Sequence, residues 1–136
     1  MSKGNTTEND ILKFIFNNMA MPSYGSNLYL SLHTSDPGEG GDQLSNETTY
    51  TNYARIAVPR DSSGFAVATS GQTNNLSLLQ FPQCGGNPQT ITHIAVGTAA
   101  TGAGQILYSG ILNAPLAVAN LIQPQFPISA LQIMED

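Results

Sequence analysis

NLYLSLHTSDPGEGGDQLSNETTYTNYARIAVPR, residues 27–60, holds two strand-like runs with a long acidic segment between them. Leu28, Leu30 and Leu32 alternate with Tyr29, Ser31 and His33, the period-2 pattern of a half-buried strand. A second alternating run spans residues 54–60. Between them the chain shows no apolar periodicity and carries four carboxylates, Asp36, Glu39, Asp42 and Glu47. A segment of that length inside a compact domain is expected to be functional or disordered. No catalytic constellation stands out elsewhere, so the chain's role is expected to rest on surfaces such as this one.

Outward from that stretch the signals repeat. Turn or loop residues separate short apolar runs at 65–68, 76–81, 90–96, 105–109, 116–119 and 128–133, which predicts about eight or nine strands and an all-β sandwich or barrel. Pro127 marks an edge or a strand start. Residues 1–6 read as a frayed arm. Thr7 is a plausible helix N-cap with Asp10 three residues on. Positions 11, 12, 15, 16 and 19 then share one helical face, up to a stop near Asn17–Asn18 and before Pro22. The expected role of this short helix is to close one end of the core, and its alternative role is to pack Phe14 and Phe16 on a neighbouring subunit. Residues 1–136 are expected to form one sandwich domain, with an arm and helix over about 1–20.

Charged residues make up 10% of the chain, against roughly 25% in an average soluble domain. Ser, Thr, Asn and Gln supply the polarity instead, 45 residues in all. Such a surface gains little colloidal protection from charge and suits a packed assembly. The net charge is −5, and Lys3, Lys13, Arg55 and Arg60 are the basic residues, too few for a phosphate-binding patch. Nucleic acid is therefore not an expected partner. The N-terminal apolar stretch is short, broken by Lys13, Asn17 and Asn18, and carries acids where a signal peptide carries bases, so neither a membrane nor export is expected. A lone Cys84 excludes an internal disulfide and reads as an inert thiol.

Three candidate chemistries follow. His33 and His93 make at most half a metal site with Asp36, short of the three or four ligands such a site needs. Asp36, Glu39 and Asp42 resemble a calcium loop in composition, without the EF-hand order. No activated-nucleophile motif accompanies the serines and histidines, so no enzyme and no cofactor are expected. Arg55 and Arg60 flank the strand after the acidic segment. One of them is expected to pair with Asp61 or the loop acids, worth about 0–1 kcal/mol at a surface. Arg55 equally suits a bidentate grip on a partner carboxylate.

Two stretches carry a resemblance to a family. Residues 28–38 hold a Leu-x-Leu-x-Leu-His-Thr-x-Asp-Pro-Gly run, and residues 46–55 an Asn-Glu-x-x-Tyr-x-x-Tyr-Ala-Arg run. FPQCGGNPQTITHIAVGTAATGAGQILYSGIL, residues 81–112, matches as well. Together they resemble short virion proteins of tailed bacteriophages, some of them labelled tail fibre proteins and others resembling capsid cement proteins. The chain departs from that pattern after His93, where Ile94 stands in place of a frequent aromatic, and it has no Trp. The resemblance implies a jelly-roll-like sandwich and a structural role in the virion. The favoured form of that role is a cement protein on the capsid exterior, assembled in the host cytoplasm, that bridges major capsid protein subunits as a homodimer or homotrimer. The alternative is a tail fibre or receptor-binding module, with calcium on Asp36, Glu39 or Asp42. The expected contact residues are Asp36, Glu39, Asp42, Glu47, Tyr50, Tyr53, Arg55, Phe14 and Phe16, with the loop around Cys84.

Overall fold

A computed structural model describes residues 1–135. The chain is mostly β. Its strands are β1 (Ser2–Lys3), β2 (Asn27–His33), β3 (Ile56–Pro59), β4 (Gln72–Asn74), β5 (Leu79–Gln80), β6 (Gln89–Gly97), β7 (Ile106–Val118), β8 (Gln125–Phe126) and β9 (Gln132–Met134). One helix, α1 (Asn5–Phe16), sits between β1 and β2. Five strands form an antiparallel sheet in the order β1-β7-β6-β2-β3, and β4–β9 and β5–β8 make two ribbons.

The alternation read in residues 28–33 sets the layers. Leu30 opposes Val96 and Ile56, and Leu32 opposes Ile94, so these side chains share one face. Leu79 and Ile133 of the ribbons close over that face, with Phe81, Cys84 and Leu131, into one apolar cluster. The arrangement is sandwich-like: one true sheet, with ribbons and loops as the second layer. Leu30, Leu32, Phe81 and Ile91 are fully buried. Each such side chain is worth about 1.5–3 kcal/mol in apolar burial.

Several elements differ from the expectation. The arm is not frayed: Ser2 and Lys3 pair with Ser109 and Tyr108. That pairing brings the backbone at residue 4 against β7, where a Cβ would lie 2.4 Å from the Ile106 carbonyl oxygen. Gly4 fits there and becomes the N-cap, so α1 starts ahead of Thr7. The C-terminus of α1 falls as expected, with Asn17 as C-cap and Asn18 at φ 53°, a left-handed position Asn tolerates. The runs at 105–109 and 116–119 are one strand, β7, which passes through Gly110 and is irregular where it faces Ile91 and His93. Residues 66–68 are not a strand, whereas Gln72–Asn74, read as loop, is. Its backbone pairs with β9, and Asn75 next to it is fully buried. The Asn75 amide donates to the Ser77 and Pro127 carbonyls and accepts from the Leu131 N–H, at 2.8–2.9 Å. The terminal strand shrinks to β9 because Pro127 lacks an N–H and Ser129 turns at φ 66°. Helix α1 does not close the core: among the described residues, Thr7 is the one side chain it buries.

Candidate functional site

The acidic segment between β2 and β3 is fastened to the sheet by internal side chains, while Asp36 and Glu39 on it stay exposed. Its part around Gln43 lies on the second face of the sheet, where Ser31, His33 and Ala95 are fully buried, and Tyr50 and Tyr53 further on pack with the apolar cluster of the first face. Gln43 is buried on that second face, its Nε2 donating to the Tyr29 carbonyl at 3.1 Å and its Oε1 accepting from the Ala99 N–H at 3.0 Å. Gly97 and Gly104 make room for it, since a Cβ on either would fall within 2.1 Å of the Gln43 side chain. His33 Nδ1 lies 2.8 Å from the Ser45 carbonyl oxygen. A carbonyl only accepts, so Nδ1 carries the proton and Nε2 accepts from the Ser31 hydroxyl at 2.9 Å. Burial holds the His33 imidazole below its ordinary pKa, which favours this neutral form.

Glu47 and Arg55 form the charged centre of this layer. Arg55 Nε and Nη2 grip the two Glu47 oxygens at 2.7 and 2.8 Å. The guanidinium also donates to the Ala99 and Gly102 carbonyls at 2.9 and 2.7 Å, tying the segment to the loop before β7. Tyr53 donates to Glu47 at 2.7 Å and accepts from the Leu32 N–H at 3.1 Å. Burial, then the Glu47 bond, pushes its hydroxyl pKa up. The Arg55 and Glu47 side chains are 3% and 11% exposed, so this is a buried pair and not the surface pair the sequence predicts. Tyr50 is 2% exposed and donates to the Pro82 carbonyl at 2.7 Å, and burial pushes its pKa up to about 12. Its ring meets Tyr53 edge-on, Tyr53 stacks on Phe81, and Phe81 meets Phe126 edge-on, an aromatic series running from the segment to β8.

Four of the expected contact residues, Glu47, Tyr50, Tyr53 and Arg55, therefore point inward and hold one another. The three calcium candidates are separately engaged. Asp36 accepts from the Gly38 N–H, Asp42 from the Leu44 N–H and the Ser45 hydroxyl, and Glu39 from the Ser2 hydroxyl. His33 and His93 are cross-strand partners, yet among the described residues no group of three or more His, Cys, Asp or Glu is arranged to hold a metal. Cys84 is buried with its thiol on the Gly86 carbonyl.

Phe14 and Phe16 behave differently: both are exposed, Phe16 at 74%. A further surface escapes the sequence reading. From Ser62 to Met134 the chain has no Asp, Glu, Lys or Arg, and that half carries exposed Val67, Ile111, Leu121, Ile128 and Met134. A groove of about 700 Å³ runs beside Ile111, Leu116, Phe126 and Met134. A second, mostly apolar one of about 630 Å³ lies between Leu28, Phe65, Val67 and Tyr108. The charge-free run was visible in the sequence; which of its apolar side chains stay outside was not.

Among known families, the model of podophage GP4 fiber I protein gp80 matches residues 2–134. The chain belongs to this family. It is thus a phage structural protein of a virion family, as the resemblance over 28–60 and 81–112 implies. No curated protein is similar enough to be matched to the chain. Membership gives a different meaning to the motif residues. Of the residues that carry the resemblance, His33, Glu47, Tyr50, Tyr53 and Arg55 fasten the acidic segment to the body, and Leu28, Leu30 and Leu32 pack with the core.

Proposed function

We propose that the chain is a building subunit of a virion fibre, without catalytic activity, that holds neighbouring proteins through exposed apolar and amide surfaces. The observation that carries this is the family match across nearly the whole chain, to a protein described as a fibre. The structure supports it in two ways. The His33 imidazole is occupied in structural hydrogen bonds, fully enclosed and out of reach of any substrate, and the half-buried His93 ring lies 2.8 Å from the Thr92 hydroxyl. The half from Ser62 to Met134 offers apolar side chains with no charge to desolvate, the cheapest kind of surface to bury in an assembly.

A cement role on the capsid exterior, against the major capsid protein, is the second reading. The same charge-poor surface favours it, because many weak copies on one shell combine by avidity. Particles produced without this protein separate the two. Loss of a fibre lowers adsorption to host cells and leaves the head's heat resistance unchanged. Loss of cement does the reverse. Unchanged adsorption with a less heat-resistant head would overturn the fibre reading.

A further inference from the structure

Helix α1 is mounted the wrong way round for a helix that serves its own core. Its contacts with the body are polar. Thr7 donates to the Ile106 carbonyl at 3.0 Å, and Gln105 donates to Thr7 at 3.0 Å and reaches Asp10 at 3.4 Å. At about 100° per residue, Thr7 and Asp10 define the inner side of the helix, Leu12 and Phe16 fall roughly 150° or more away from its centre, and Ile15 roughly 110°. Leu12, Phe14, Ile15, Phe16 and Met19 are each more than half exposed. Phe14 lies in the same angular sector as Thr7, yet it too stays exposed. The last two turns, Ile11–Phe16, are thus apolar almost all round, with Lys13 as the one charge. A helix apolar on all sides belongs in an interior.

We propose that α1 is the self-association element of this chain, and that its apolar surface is covered by the α1 helix of a second copy. Three observations select a second copy as the occupant. Twelve residues is at the lower limit for a helix that must persist in water, so α1 needs constant cover rather than an occasional visitor. Leu12, Ile15 and Phe16 stand more than half exposed side by side, a contiguous apolar patch that supplies part of the roughly 800 Å² per partner of a standard stable interface. Within the helix, Leu12 and Ile15 form an a-d step flanked by Ile11 and Phe16, the spacing by which one helix seats against its own copy. Closed symmetry then lets the same patch serve both sides of the contact. The proposal deepens the fibre reading, which needs subunits that hold one another, but it stands on α1 alone.

The test is sedimentation equilibrium of the full chain beside Ile15→Glu and Leu12→Glu. Because both side chains lie outside the core, the variants keep the thermal midpoint of the β body. The wild type is expected to be a dimer or trimer at micromolar concentration, and each variant to weaken association at least about 100-fold. Ile15→Cys provides a second readout, since Cys84 is buried: mild oxidation should link copies through the new thiol, and a cysteine at exposed Thr69 should link poorly. A monomeric wild type at about 100 μM, or variants that keep the oligomer, overturns the proposal. A monomeric result would leave the fibre reading standing, and absence of the chain from fibres would leave self-association standing.

Discussion

Arg55→Met puts the largest single demand on this account. In the wild type the guanidinium makes four hydrogen bonds, two to Glu47 and one each to Ala99 and Gly102, with its side chain 3% exposed. Met keeps the aliphatic stem and removes all four. It leaves the Glu47 carboxylate buried with Tyr53 as its remaining side-chain donor, and it takes the guanidinium donor from the Ala99 carbonyl, while Gly102 keeps the Gly104 N–H. Breaking one side of a buried pair costs about 3–5 kcal/mol, against about 0–1 for an exposed one. Unfolding entropy near 2.1 cal/mol/K per residue means that 1 kcal/mol moves the midpoint of a chain this size by about 3.5 °C. The expected drop in Tm is therefore roughly 10–17 °C, read by calorimetry at pH 7. The Glu47→Gln, Arg55→Met double variant removes the uncompensated charge and should recover part of the loss, giving a coupling above about 1 kcal/mol. A loss under 1 kcal/mol, or strict additivity, would refute the reasoning that this pair organises the acidic segment.

Gly104→Ala should cost about 1–3 kcal/mol, because the new methyl meets both the buried Gln43 amide and the Ala99 backbone N at 3.0 Å; chemical denaturation checks it, and a neutral result would contradict the packing. The lowered pKa of His33 makes stability fully present above about pH 6.5 and progressively lost as pH falls from there toward the folded-state value, at up to about 1.4 kcal/mol per pH unit. A pH series of thermal melts on wild type and His33→Gln should show that slope in the wild type and a flatter one in the variant. Cys84 should react with a thiol reagent at least about 100-fold slower in the native protein than in denaturant, since its thiol is buried on the Gly86 carbonyl.

The fold class was legible because a period-2 apolar pattern leaves few alternatives. Leu28, Leu30 and Leu32 announced both a strand and its inner face. What the pattern could not carry were elements held by amides. Strand β4 reads Gln-Thr-Asn and has no apolar face, so no periodicity marks it. Gln43 and Asn75 look like any of the other Asn and Gln residues in the sequence, yet both are fully buried and fasten loops to the sheet. The acidic segment was misread for a related reason. Four carboxylates over twenty residues look solvated, and only the tertiary placement of Arg55 turns Glu47 into an internal anchor. The motif is a family signature, as the match shows, and of the contact residues expected in it Glu47, Tyr50, Tyr53 and Arg55 turn inward while Asp36 and Glu39 stay exposed. Helix α1 was legible as a helix; its orientation was not, because amphipathicity says which side is apolar and not whether the apolar side faces its own core.

The measurement that bears most directly on the whole account is cryo-electron microscopy of the intact particle in which this chain is packaged. The account predicts a fibre density that accepts the five-stranded sheet with its two ribbons, with α1 of adjacent copies in contact and the acidic segment folded inward. Copies found only on the capsid shell, or in fibres with every α1 facing solvent, would contradict it.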